Sequence, residues 1–454
     1  MSPQFSNYRH HIDDLVHAAL TAADPETAVS RHLIRQKHIL TINNQETFDL
    51  SQGRLFLVSV GKAALPMLDA ATAIIGESLH AGIAITKVIP PTYQPPHPAL
   101  NIHRGSHPVS SQESIEATTA VYHFLQQTQP TDLVLCLISG GASALLTKPL
   151  ISLSDWQALN QAMLASGCTI NQFNTVRRQL DAVKGGGLSQ WAAPARSISL
   201  ILSDVVGNPL EFIGSGPTVP GTDTPDDAMQ VLQQYQIEKQ VETAVWQAIS
   251  EQLSVNSKQL TDTKPITPLN FIIGDVRKAA EAALAKAKEL GFTTQLLTAH
   301  LEGEAREAGL FAAAIAKDTL PAHCLILGGE TTVTLRGSGK GGRNLETALS
   351  AAIALAGWPH IAIASFATDG EDGPTDAAGA VVTGETTNQE LNALEYLNNN
   401  DSYHYFQAVD EIACTEPDST KPRRNAETAV NTLIKPGSTG TNVNDLIIIL
   451  TYQQ

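Results

Sequence analysis

In RLFLVSVGKAALPMLDAATAII, residues 54–75, a short unbroken apolar run gives way to a glycine, a lysine and a stretch of helical periodicity. Arg54 to Val60 suits a strand buried on both faces, as strands of parallel sheets are. Gly61-Lys62 makes the turn, and the pattern predicts helix from Ala63 to Ile75. This places the Lys62 amine near a helix N-terminus at the C-terminal edge of a strand, where ligands bind in open α/β sheets. A cation beside the positive end of a helix is unfavourable unless an anion offsets it. The plainer alternative is an exposed lysine at a helix start.

The same passage from a strand into a small-residue turn recurs twice further along the chain. Asp132 to Ile138 (DLVLCLI) runs into Ser139, Gly140, Gly141, Ala142 and Ser143, whose N–H groups and two hydroxyls suit a phosphate or carboxylate. A tight strand-to-helix turn needs small residues too. Ser197 to Leu202 leads to Ser203-Asp204-Val205-Val206-Gly207-Asn208. At that strand end the Asp204 carboxylate suits a Mg²⁺ ligand or a base for a substrate hydroxyl, or else a turn cap. Between these units, NQFNTVRRQLDAVK (residues 171–184) predicts a basic helix with Arg177, Asp181 and Lys184 on one face, an arrangement that also suits an internal ion-pair ladder. Ile12 to Leu33 reads as one helix. The proline-rich segment 90–108 carries His97, His103 and His107 at spacings that fit no standard metal site, so it reads as surface loop.

The polar, proline-bearing stretch Glu251 to Leu269 is the linker candidate, and a second series of strands and helices follows it. That series contains GGETTVTLRGSGKGGRNLE, residues 328–346, with six glycines and the cations Arg336, Lys340 and Arg343. Glycine-rich backbone at a helix N-terminus, with cations, predicts an anion site. A glycine hairpin with solvated charges is the alternative. Gly337, Gly339 and Gly342 spell G-x-G-x-x-G, but the next acidic residue after a strand, Asp369, comes too late for a dinucleotide site, and Lys340 is followed by glycine rather than the Ser or Thr of a P-loop. Asp369 to Asp376 holds four acids without the spacing of an EF-hand loop.

With 454 residues the chain exceeds one ordinary core, so two domains are expected, residues 1–260 and 261–454. The formal net charge of −16 argues against a nucleic-acid or anionic-membrane surface, and makes local basic clusters more informative. The four cysteines form no C-x-x-C pair, and the N-terminus has no apolar signal core, so a reducing, cytoplasmic setting is expected.

SVGKAA at Ser59, LISGGASALL at Leu137, NTVRRQLDAVKGGGL at Asn174 and LSDVVGNPLEFIGSGPTVP at Leu202 together resemble the glycerate 2-kinase family. So do the glycine-rich stretch at Gly328, ATDGEDGPTDAAGA at Ala367 and GSTGTNVNDL at Gly437, the second half resembling the MOFRL domain. The resemblance implies two α/β domains facing each other across an active-site cleft, the first Rossmann-like with a mainly parallel sheet. It implies ATP-dependent phosphorylation of D-glycerate at its 2-hydroxyl, with Mg²⁺, giving 2-phosphoglycerate and ADP. Matched by motif, the catalytic lysine, aspartate and arginine fall on Lys62, Asp204 and Arg343. The candidate substrate- and phosphate-binding set is Ser139, Gly140, Gly141, Ala142, Ser143, Arg177, Lys184, Asn208, Glu330, Lys340 and Asp369, with Asp204 or Asp369 the candidate metal ligand. Small-molecule substrates are the expected partners, with room for a homodimer. Two other classes compete: an NAD(P)H-dependent hydroxypyruvate reductase, and a non-catalytic binder of phosphorylated metabolites.

Overall fold

The structure, a computed structural model, describes residues 3–259, 268–387, 390–415 and 431–453. The expected boundary at 260–261 lies outside the described residues. By its internal contacts the chain divides into two units, Pro25–Ile273 and Met1–Asp24 with Gly274–Gln454.

The unit Pro25–Ile273 opens with a small antiparallel sheet of β1 (Leu33–Gln36), β2 (Ile39–Ile42) and β3 (Glu46–Asp49). Its main sheet contains β4 (Leu55–Val60), β5 (Leu79–Thr86), β6 (Leu100–Arg104), β7 (Leu133–Ile138), β8 (Arg196–Leu202) and β9 (Leu269–Gly274). The spatial order is β6-β5-β4-β7-β8-β9, and every pairing from β6 to β8 is parallel. Counted within this sheet, the order is 3-2-1-4-5-6, that of doubly wound dinucleotide-binding folds, with its switch point between β4 and β7. Every residue of β4 and β7 is buried, which explains why both read as unbroken apolar runs. A second apolar core lies among the helices Leu153–Ala165, Ile170–Leu180, Pro225–Gln234 and Thr243–Gln259, around Trp156, Phe173 and Leu232. Glu251–Gln259 thus ends a helix and is not linker.

The other unit carries β10 (Thr293–Glu304), β11 (His323–Thr332), β12 (Ile361–Ala367), β13 (Gly379–Thr383), β14 (Leu433–Ile434) and β15 (Asp445–Thr451), in the order β10-β11-β15-β12-β13-β14. Only β10 and β11 are parallel; the other pairings are antiparallel. The helix expected over residues 12–33 is two helices, Tyr8–Ala23 and Pro25–His32, and Leu33 begins β1. Asp24, which precedes a proline, is forced into extended backbone and ends the first helix. That helix buries Ile12, Leu15 and Val16 and packs on the helix Val276–Glu289. No helix among the described residues is long and apolar enough to cross a membrane.

Candidate active site

In the unit Pro25–Ile273, three of the recognised turns leave adjacent strands at one edge of the sheet, around the switch point. Gly61-Lys62 follows β4, Ser139–Ser143 follows β7, and Asp204 follows β8. The first two turns are bonded to each other. The Lys62 N–H donates to Gly140 O at 2.8 Å, and the Ala63 N–H donates to the Ser139 hydroxyl oxygen at 3.1 Å. Ser139 is buried, so its hydroxyl joins two turns rather than facing a ligand. The Lys62 side chain is exposed.

Asp204 lies directly against Gly140. A Cβ built on Gly140 would stand 2.1 Å from Asp204 Oδ2, so only glycine admits the carboxylate there. Burial pushes the Asp204 carboxyl above its ordinary pKa, while the nearby charge of Lys62 opposes the rise. The site therefore holds a carboxylate of raised basicity beside an exposed cation, a pairing suited to accepting a proton from a hydroxyl. Asn208 ends this turn in the left-handed region, at φ 55°.

Arg177 and Lys184 both bond to the Ser139–Ser143 turn. Arg177 Nη2 donates to Ser143 O at 3.0 Å, and Lys184 Nζ donates to the same oxygen at 2.8 Å and to Leu146 O at 3.2 Å. Lys184 is buried and 3.7 Å from Asp181, so an internal ion pair is present, and burial still pushes its ammonium down to about 7. The Ser143 hydroxyl hydrogen-bonds the Ser215 hydroxyl at 2.8 Å, which donates to Asn174 Oδ1 at 2.9 Å. These contacts fix the turn's shape from the protein side.

His107 joins this group, although the sequence pattern placed it in a surface loop. It is half-buried, and a Cβ on Gly141 would lie 3.1 Å from His107 Cδ2 and 3.2 Å from Lys62 Cγ. Burial lowers the His107 pKa, and the charges of Lys62 and Lys87 lower it further, which favours the neutral imidazole. The strand Leu100–Arg104 that precedes it was itself read as part of the loop, so no pattern in the sequence pointed to His107.

In the unit containing residues 274–454, the glycine-rich loop is built differently from the expected anion cradle. The N–H groups of Arg336 and Gly337 donate to Asn400 Oδ1 at 2.6 and 3.0 Å. Those of Gly339 and Lys340 donate to Asn399 O and Asp401 Oδ1 at 3.0 and 2.8 Å. Cβ atoms on Gly337 and Gly339 would stand 2.2 Å from Asn399 Oδ1 and 2.3 Å from Asp401 Cβ. The glycines thus admit residues 399–401 of the same unit, and the G-x-G-x-x-G spelling reflects packing, not a dinucleotide. The helix Arg343–Leu355 is capped internally as well: Asn344 and Leu345 N–H donate to the Asp372 carboxylate at 3.1 and 2.8 Å.

Arg343 opens that helix and forks onto Asp445, with Nε to Oδ2 at 2.5 Å and Nη2 to Oδ1 at 3.0 Å, while Nη1 lies 3.0 Å from Glu330 Oε1. Asp445 begins β15, between β11 and β12, and is buried. Burial raises its pKa to about 6, against the pull of Arg343, and raises that of Asp372 to about 7. Neither acid was singled out from the sequence, where each was one among several in polar loops. Lys340 turns to the ring of Tyr403, 4.4 Å from its centroid. Asp369 lies just beyond β12, where its Oδ1 accepts from Glu371 N–H at 3.3 Å. Glu330 and Arg343 are therefore together, whereas Lys340 and Asp369 each have other neighbours.

Among the described residues, no group of three or more His, Cys, Asp and Glu side chains is arranged to hold a metal ion.

Comparison with known proteins matches residues 11–250 to the model of a family described as a domain of unknown function (DUF4147), and residues 323–445 to that of the MOFRL family. A D-glycerate 2-kinase of Thermotoga maritima is 40% identical over 414 residues, covering 88% of this chain and 91% of that protein. A glycerate 2-kinase of Pyrococcus horikoshii is 34% identical, covering 96% of both chains. The crystal structure of a glycerate kinase from Thermotoga maritima superposes with a TM-score of 0.82 at 36% identity, covering 98% of this chain and 99% of that one. On these similarities, the chain belongs to the glycerate 2-kinase family.

Proposed function

We infer that this protein is a glycerate 2-kinase, transferring the terminal phosphoryl group of ATP to the 2-hydroxyl of D-glycerate and releasing 2-phosphoglycerate and ADP. Its family membership supports the reaction. The structural observation that carries the reading is the Asp204 carboxylate against Gly140, beside the exposed Lys62, at the switch point of a doubly wound sheet.

In phosphoryl transfer the protein mainly positions reactants and stabilises charge. Asp204 has the raised basicity to orient the 2-hydroxyl and take its proton as the new P–O bond forms. Lys62 offsets negative charge on the transferred group or the glycerate carboxylate. Arg343, oriented by its fork onto Asp445, offers a second cation for the same reaction, with Glu330 as the partner an incoming anion replaces. Arg177 and Lys184 hold the Ser139–Ser143 turn in place by donating to the Ser143 carbonyl.

ATP normally arrives with Mg²⁺, which neutralises phosphate charge. Magnesium takes one or two carboxylates and completes its shell with phosphate oxygens and water, so a set lacking three clustered acids still fits it, with Asp204 or Asp369 as the ligand. A cytoplasmic location suits these substrates.

The test is an assay coupled to enolase without phosphoglycerate mutase, which responds only to the 2-isomer. Signal is expected with D-glycerate and ATP. Signal only after mutase is added would mean the 3-isomer and overturn the proposed regiochemistry.

A further inference from the structure

Beside the Ser139–Ser143 turn, the unit Pro25–Ile273 contains a pocket of about 470 Å³ between the 108–110 segment and the helices Leu153–Ala165 and Ile170–Leu180. It adjoins the site just described through two residues. Pro108 follows His107, and Arg177, which lines the pocket, donates to Ser143 O. Its walls combine aromatic and amide groups. The Arg177 guanidinium is backed by two rings, 5.2 Å from the Phe173 centroid and 5.7 Å from that of Trp156. Arg177 Nε is buried and has no hydrogen-bond partner. A buried donor left unpaired costs stability, which a ligand acceptor would recover.

The amides define the complementary edge. Gln157 Nε2 donates to Ser110 O at 2.8 Å and Asn160 Nδ2 donates to Trp156 O at 2.6 Å, which leaves both amide oxygens as acceptors. Gln161 stands on the same helix face, one turn from Gln157. The fitting ligand is therefore flat and presents an N–H donor to the amide oxygens and a ring acceptor to Arg177. An amino-bearing purine has both features. At the rim Leu164 and Val109 are 72% and 61% exposed, apolar cover for such a ring.

We propose that this pocket seats the adenine-type base of the phosphoryl donor, with its phosphates directed toward the Ser139–Ser143 turn. The proposal rests on the kinase reading and names the subsite that holds the donor's base. It assigns the nucleotide to the unit Pro25–Ile273.

Adenosine, which has no phosphates, isolates the pocket from the phosphoryl chemistry. Its binding to the full chain is measured by calorimetry, and its inhibition of glycerate phosphorylation by kinetics. Saturable binding is expected, with inhibition competitive against ATP and not against glycerate. Gln161→Trp, an exposed position, fills the pocket and is expected to weaken adenosine binding and raise the KM for ATP at least about tenfold. Gln157→Ala, also exposed, is the second variant should the first fail to fold, with a several-fold loss expected. Inosine, whose 6-oxygen replaces the amine, is expected to bind at least about tenfold more weakly than adenosine.

Phosphorylation of glycerate without adenosine binding or competition overturns the pocket assignment and leaves the kinase reading standing. Adenosine binding that survives Gln161→Trp in a folded variant overturns it as well, as does a dimer lost on that substitution with nucleotide affinity unchanged. Adenosine binding that Gln161→Trp abolishes, in a protein that phosphorylates no glycerate, supports the pocket and overturns the kinase reading.

Discussion

The carboxylate of Asp204 occupies the space where any residue but glycine at position 140 would place its Cβ, 2.1 Å from Oδ2. Gly140→Ala should therefore move the carboxylate without removing its charge. Turnover is expected to fall by roughly 10²-fold, with the melting temperature changed by only a few degrees. Full activity in a folded Gly140→Ala protein would show that the position of Asp204 against this turn is unimportant.

Asp204→Asn preserves shape and removes the proton acceptor, so a loss of about 10²-fold or more in kcat is expected. The native pH–rate profile should also carry the mark of Asp204. Since burial raises its pKa, the acidic limb should lie above the ordinary carboxylate range, with the rate rising as the proton leaves. A limb that persists unchanged in Asp204→Asn would assign that titration to another group.

Asp372 yields a stability prediction of definite sign. Its folded pKa, about 7, stands above that of an unfolded carboxyl. Between those values the folded state keeps a proton that the unfolded state has released, so stability falls as pH rises, and the full penalty is present above pH 7. Buried Asp445, raised to about 6, adds a penalty of the same sign. Denaturant midpoints at pH 5 and pH 8 should differ less in Asp372→Asn than in the native protein, because an amide oxygen keeps accepting from the helix N-terminus without titrating. An undiminished difference would mean that Asp372 is already ionised at pH 5.

Lys62→Ala and Arg343→Ala should each cost several kcal/mol of transition-state stabilisation, on the order of 10²-fold or more in kcat/KM, with the fold retained. Arg343→Lys should recover little, since an ammonium cannot reproduce the two-pronged bond to Asp445. If both cations act on one charge distribution, as the proposed reaction requires, the double alanine variant should lose less than the sum of the two losses. Strictly additive losses would argue for separate tasks.

The first sheet was legible because β4 and β7 are buried on both faces, and such strands print themselves as LFLVSV and LVLCLI. Each is followed by a small-residue turn, so the ligand-suited edge could be read with the strands. The glycine-rich loop could not be decided from the sequence because two demands share one composition. Glycines that admit a phosphate and glycines that admit Asn399 and Asp401 look alike, and the partner lies some 60 residues downstream. Asp372 and Asp445 were illegible for a related reason: a carboxylate under an arginine and one in a solvated loop are distinguished only by tertiary burial. His107 fell between them, its loop character correct and its contact with the lysine turn carried by no local pattern.

The helix Tyr8–Ala23 is made long before the helix it packs against, which begins only at Val276. Synthesis at roughly 5–20 residues per second separates the two by on the order of tens of seconds. All of Pro25–Ile273 can emerge and fold in that interval, while the face of Ile12, Leu15, Val16 and Ala19 waits in water. The nascent chain thus carries this apolar face unpaired until residues 276–289 have been translated. The order of manufacture, rather than the finished molecule, decides how long this face stays unpaired.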